Sequence, residues 1–156
     1  MDKEIYNVKV VKFGGSSLAD AEQFKKVGSI IKSDTSRRFV VPSAPGKRFS
    51  GDTKVTDMLY SCYNTAQNGG DFDSVFAMVK YRFDSIIAGL GLSLDLSAEY
   101  EHIKWAILHH AGRDYAASRG EYLNGMILAE YLGYDFIDPA DYIKFCDDGS
   151  FDAETT

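Results

Sequence analysis

An α/β fold with a mostly parallel sheet is predicted by three observations. Short β-branched and aromatic runs recur at residues 8–13, 39–41 and 134–137. Segments with apolar residues at steps of three and four stand between them. The resulting order of strand, helix, strand and helices requires crossovers, which favour parallel pairing in a three-layer αβα arrangement.

Each element has its own justification. Val8, Val10, Val11 and Phe13 read as a buried strand. Asp20 then precedes a helix whose face carries Phe24, Val27, Ile30 and Ile31. Phe39, Val40 and Val41 form a second strand, and PSAPGKRFSGDTK (42–54) reads as loop. A helix follows from Val55 to about Tyr63, closed by the glycines of QNGGD. Val75, Phe76, Val79, Phe83 and Ile86 or Ile87 mark another helix over 73–88, and Tyr100, Ile103, Ile107 and His110 share the face of the next. The longest helix runs from about Asp114, suited to an N-cap or first turn, to Leu132, with Gly133 at its end. Tyr134 to Ile137 reads as a third strand stopped by Pro139. Three strands are few for such a sheet, and the ending DDGSFDAETT brings no closing element, so the expectation is an incomplete unit.

Composition narrows the function classes. The 156 residues are 45% hydrophobic and 26% charged, ordinary for a globular chain with a real core. A net charge of −6 argues against general binding to nucleic acid but leaves room for a local anion site. Cys62 and Cys146 have no paired or metal-like spacing, which favours a reducing, cytoplasmic setting. The start MDKEIYNVKV has no signal-peptide core, and no run is long enough for a membrane helix.

The stretch KFGGSSLAD (12–20) raises the functional question. Lys12 falls at the carboxyl end of the first strand, where open α/β sheets bind ligands. Gly14 and Gly15 let the backbone approach a ligand, and backbone N–H groups there favour phosphate or carboxylate. At about 4 Å and an effective dielectric of about 20, a lysine–anion contact contributes roughly 4 kcal/mol before desolvation. The plain alternative is a glycine turn with a solvated lysine. The lysine precedes the glycines, so this is not a GxxxxGK[ST] phosphate loop. GLGLSL (89–94) lacks a third glycine and follows a helix, so it is a linker rather than a dinucleotide fingerprint.

VVKFGGSSLAD resembles the opening of an aspartokinase, within the amino acid kinase family. FVVPSAPGK, KVTDML and SRGEYLNGMILAEYLGYDFIDPADYI resemble further segments of that family, in order. The resemblance spans most of the chain except about 65–112, and KVTD and SRGE point to aspartate as substrate. It implies that Lys12 contacts the transferring phosphates of ATP, and that Gly14, Gly15, Ser16 and Ser17 shape the phosphate and substrate loop. Ser43 would lie beside the reacting groups; Thr56 and Glu121 would bind L-aspartate, with Glu121 facing the amino group. The implied product is β-aspartyl phosphate, the first step toward lysine, threonine and methionine. The implied cofactors are ATP and Mg, with Mg held mainly by substrate phosphates.

The chemistry agrees with that implication. A side-chain carboxylate with pKa about 3.9 is already ionised at neutral pH and needs no general base. The obstacle is bringing it to a polyanionic nucleotide, so catalysis is positioning and charge neutralisation.

Other residues have plainer readings. His109 and His110 lack partners at ligand spacing, so they read as a helix-face pair and no metal site is expected. Arg119 reads as solvated, and Asp138, Asp147 and Asp148 as solvated acids; Lys47 and Arg48, in a glycine-rich loop, could attract an anion but read better as surface loop charges. Tyr81, Tyr100 and Trp105 read as core or interface. Without its SRGEY context Glu121 would read as a solvated helical carboxylate.

Family members continue into a second half that binds most of the nucleotide and carries a GSD-type motif, then into ACT regulatory modules. Neither is found in residues 1–156. The favoured expectation is therefore the amino-terminal part of an amino acid kinase domain from a working aspartate kinase, inactive when isolated. The alternative is a naturally short, non-catalytic binding or assembly subunit. Apolar surface left exposed makes homo-oligomerisation a further expectation.

Overall fold

The computed structural model describes residues 8–156. Strand β1 (Lys9–Phe13) is followed by a 3-10 turn (Gly15–Leu18), helix α1 (Ala21–Lys32) and strand β2 (Arg37–Pro42). Five helices complete the order: α2 (Val55–Gln67), α3 (Phe72–Leu90), α4 (Ser97–Leu108), α5 (Arg113–Leu132) and the short α6 (Pro139–Tyr142). β1 and β2 pair in parallel, with Val10 beside Phe39, Lys12 beside Val41 and Phe13 beside Pro42. A parallel pair cannot be joined by a tight turn, and α1 is the crossover. The α/β class and parallel pairing thus hold, as an αβα-like arrangement seen in part.

The helix boundaries follow local chemistry. Asp20 caps α1 by accepting the N–H of Gln23, and Asp71 caps α3 by accepting that of Ser74. Gly133 ends α5 in the left-handed conformation, at φ 71°. Asp114 lies in the first turn of α5, and Gly112 takes the N-cap. Helix α2 runs four residues beyond the expected Tyr63, because Ala66 still packs on the core.

One core joins the helices. α2 packs against both α3 and α5, burying Leu59, Cys62, Phe83, Ile86, Leu123 and Ile127. Phe13 and Val40 turn from the sheet toward this core.

Four expectations are corrected. The first strand is not buried: Val8 lies outside it, and Val10 is 68% exposed, on the same side as Phe39 and Val41. The predicted third strand at 134–137 does not form among the described residues. Its Tyr134 N–H goes back to Ala129 in the α5 terminus, and Phe136 packs by its ring on Tyr122 and beside Gly125 without a ladder. Ile30 is half exposed, because its position on α1 points off the buried stripe of Phe24, Val27 and Ile31. His110 leaves the face of Tyr100 and Ile107, since α4 ends at Leu108 and His110 turns to φ 70°. Of the aromatic residues at helical spacing, Tyr100 is core, whereas Tyr81 and Trp105 are exposed.

Candidate functional site

The site forms where two strand ends meet two helices. β1 runs into the turn carrying Gly15 and Ser16, and β2 runs into the loop carrying Ser43 through Lys54. Ser43 extends the ladder by one bond, its N–H donating to the Phe13 carbonyl at 3.0 Å. Beyond it the two loops touch backbone to backbone, with Gly46 N–H on the Gly15 carbonyl at 2.8 Å. Side chains are excluded from this seam: a Cβ on Gly46 would lie 2.6 Å from the Gly15 carbonyl carbon. The loop then feeds α2, whose Val55 N–H donates to the Pro45 carbonyl.

Helix α5 holds the same loop from the other side. Ala44 N–H donates to Glu121 Oε1 at 3.2 Å, and Asn124 Nδ2 donates to the Ser43 carbonyl at 2.7 Å. These two bonds grip one peptide unit, Ser43–Ala44, by both its polar atoms. Asn124 is fully buried and its Oδ1 has no partner. An unpaired buried oxygen costs about 1–3 kcal/mol, tolerated here while the amide holds Ser43. Gly120 gives Ala44 room, since a Cβ there would meet the Ala44 Cβ at 2.7 Å.

Together these elements enclose a cavity of about 410 Å³. Gly15, Ser16, Ser43, Thr56 and Glu121, drawn from four separate motifs, all line it. Lys12, Gly14 and Ser17 are outside its lining. Lys12 is exposed beside Val41, three residues before Gly15, the first lining residue after β1. Three lining residues were not assigned to a site from the sequence. Lys47, read as a surface charge, lines the cavity, as does Lys54 at the N-cap of α2. Neither lysine forms an ion pair or side-chain hydrogen bond among the described residues. Pro45 adds a rigid wall. A clustering of lysines around a Gly-rich loop was the available signal, but loop charge alone does not reveal which way it faces.

Behind the loop lies a buried ionic cluster. Arg82 of α3, 1% exposed, donates through Nη1 to the Gly46 carbonyl and through Nη2 to Asp52 and the Thr53 carbonyl, at 2.8–3.1 Å. Arg48 closes on the same carboxylate with Nε and Nη2 at 2.8 and 3.0 Å. Hydrogen bonding from Arg48, with the charge of Arg82 nearby, holds the Asp52 carboxyl well below its usual range. Burial pulls the Arg82 guanidinium down from its ordinary value.

His109, Asp138 and Asp148 have partners of their own. Trp105 stacks on the His109 ring, whose Nδ1 meets the Trp105 carbonyl at 2.7 Å. Asp138 caps α6 through the Ala140 N–H, and Asp148 binds Ser150. Arg119 is not simply solvated; its guanidinium lies between the rings of Tyr115 and Tyr122, 4.6 and 4.7 Å from their centres.

Known proteins share this sequence and shape. The chain is 35% identical over 150 residues to aspartokinase 3 of Bacillus subtilis strain 168, an overlap of 92% of this chain and 33% of that protein. The crystal structure of Clostridium acetobutylicum aspartate kinase matches 95% of this chain and 34% of its own, at 50% identity and TM-score 0.90. Aspartokinase III of E. coli, solved with lysine and aspartate, has the same fold at 22% identity and TM-score 0.64 over 81% of this chain. The chain therefore spans about a third of the length of these relatives. The model of the amino acid kinase family matches residues 7–150, so nearly the whole chain falls within that family's pattern. By sequence and by fold, this chain belongs to the amino acid kinase family.

Proposed function

We propose that the cavity is the aspartate pocket of an aspartate kinase, which transfers a phosphoryl group from ATP to the side-chain carboxylate of L-aspartate. The observation that carries this reading is the charge pattern of the lining. Lys47 and Lys54 supply two cations and Glu121 one anion, the complement of a ligand with two carboxylates and one ammonium group. Thr56 and Ser43 add hydroxyl groups for orientation. The names of the relatives support the same assignment.

In this reading Glu121 receives the substrate ammonium on the carboxylate oxygen not used by Ala44. The lysines and the backbone N–H groups at the α2 entrance receive carboxylate. The side-chain carboxylate then attacks the terminal phosphorus of ATP, forming the new P–O bond as the bond to ADP breaks. No proton must move, so the protein's task is alignment and charge neutralisation. Lys12, at the neighbouring strand end, takes in this reading the role of meeting the nucleotide phosphates, with Gly14 and Ser17 shaping the turn beside it. Magnesium is proposed to enter on those phosphates.

Turnover is proposed for a protein of the relatives' length. For residues 1–156 alone, a role as the amino-terminal part of the catalytic domain predicts aspartate binding with little phosphoryl transfer. Cytoplasmic residence is part of the proposal, supported by two free cysteines; no helix among the described residues is long and apolar enough to cross a membrane. Exposed Val10, Phe39, Phe145 and Phe151 support self-association.

The test is hydroxylamine trapping of aspartyl phosphate with ATP, L-aspartate and magnesium. Hydroxamate formed by the relatives-length protein supports the assignment, and its absence there rejects it. Robust hydroxamate from residues 1–156 alone rejects the partial-domain role. A naturally short binding or assembly subunit has no specific observation in its favour here.

A further inference from the structure

We infer that Arg82 is a positioning residue for the aspartate pocket: through Asp52 and the Gly46 and Thr53 carbonyls it holds the loop that presents Lys47 and Lys54. The inference rests on the proposed aspartate reading of that pocket. Arg82 is outside the cavity lining, on α3, a helix that contributes none of the lining residues.

The geometry explains why an arginine is required. Its Nη1 takes the carbonyl of Gly46, immediately before Lys47. Its Nη2 takes Asp52 and the carbonyl of Thr53, immediately before Lys54. One planar guanidinium therefore ties down both ends of the 46–54 loop beside the two lysines. A lysine side chain has no fork with which to span these acceptors.

Energetics point the same way. Taking a guanidinium and a carboxylate out of water is costly, and a packed apolar pair is often equally stable. In this loop the inferred benefit of the cluster is a single specified geometry. Here the loop is rich in Gly, Pro and Ser, with no regular secondary structure from Ser43 to Lys54. Its conformational freedom must be removed by side-chain contacts if Lys47 and Lys54 are to meet a ligand preorganised. The cluster joins two guanidinium groups to the Asp52 carboxylate, with the Asp20 charge also felt by both arginines.

The test uses the 156-residue chain and the conservative variant Arg82→Lys, with Arg82→Met/Asp52→Asn as a second variant that leaves no unpaired buried charge. Two readouts are taken on samples with native circular dichroism: tryptic cleavage after Lys47, Arg48 and Lys54, and L-aspartate affinity by calorimetry. The expected result is faster cleavage confined to this loop, with aspartate affinity weakened roughly tenfold, the scale of coupling through a supporting contact. Both variants should show it. Unchanged loop cleavage in both variants overturns the clamp. Faster cleavage with unchanged aspartate affinity overturns the positioning role. If the unsubstituted chain binds no aspartate, the functional reading fails by itself, and cleavage alone decides whether Arg82 holds the loop.

Discussion

Glu121 and Asn124, one turn apart on α5, hold the two polar atoms of a single peptide unit. Glu121 accepts the N–H of Ala44, and Asn124 donates to the carbonyl of Ser43. A residue assigned to substrate therefore also has a structural bond, and the two roles separate by substitution. Glu121→Gln keeps an acceptor for Ala44 but removes the charge. Aspartate affinity should fall about tenfold or more, the scale of a charged hydrogen bond, with little change in thermal unfolding. Asn124→Ala should do the reverse, costing about 1–3 kcal/mol of stability by leaving the Ser43 carbonyl unpaired. Calorimetric titration and thermal melts measure both, and unchanged affinity in Glu121→Gln would remove its substrate role.

Lys12 stands apart from the cavity lining, next to Val41 on the sheet. In a protein of the relatives' length, Lys12→Ala should lower kcat about a hundredfold or more, as loss of a phosphate clamp does, while aspartate binding changes little. Equal losses in turnover and aspartate affinity would exclude the phosphate role.

Gly46 has no space for a side chain, since an added Cβ would lie 2.7 Å from the Ser16 amide nitrogen. Gly46→Ala should destabilise the chain by about 1–3 kcal/mol through forced separation of the two loops. Gly14 has open space around it and a negative φ of −75°. Gly14→Ala should leave the denaturant midpoint nearly unchanged, and a comparable loss in both variants would refute the seam.

Alkaline pH should destabilise the chain through the buried Tyr100 and the partly buried Tyr122. Burial, aided by a 3.1 Å bond to Glu99, pushes the Tyr122 phenol up to about 12 from 10.0. Tyr100, bonded to Asp84 at 2.9 Å, is shifted in the same direction, chiefly by burial. A raised folded-state pKa means that the native form retains the proton longer than the unfolded form. This stabilisation is complete below pH 10 and disappears as pH rises toward 12. Tyr122→Phe should flatten the fall in melting temperature over that window; an unchanged slope would contradict the assignment.

The two thiols should differ in reactivity. Burial in the core pushes the Cys62 thiol up to about 12, whereas Cys146 is exposed. One equivalent of thiol reagent should react in the native chain, at Cys146, and two after denaturation. Rapid native labelling of Cys62 would show that the core opens.

The helices were legible because each has a stripe of apolar residues and a local stop, as Asp20 and Gly133 illustrate. The third strand was not, since the apolar run at 134–137 specifies burial without naming a ladder partner, and Phe136 meets Tyr122 and Gly125 instead. Arg82 could have been noticed. It falls on the buried stripe of α3 between Val79 and Ile86, where the helical period calls for an apolar residue. Asp52, its partner 30 residues away, has no such periodic signal.

The α/β class, the presence and order of helices α1 to α5 and the four motifs whose residues were assigned to aspartate and phosphate were already legible in the chain, because these depend on local periodicity, capping and residue chemistry. Only the tertiary structure decided that Ser43, Thr56 and Glu121 share one cavity, that Lys47 and Lys54 join them, and that Lys12 stands outside its lining. The physical reason is that a loop's direction is set by long-range contacts. Here they are the Gly15–Gly46 seam, the Glu121–Asn124 grip and the Arg82–Asp52 cluster, each linking residues about 30 or more positions apart.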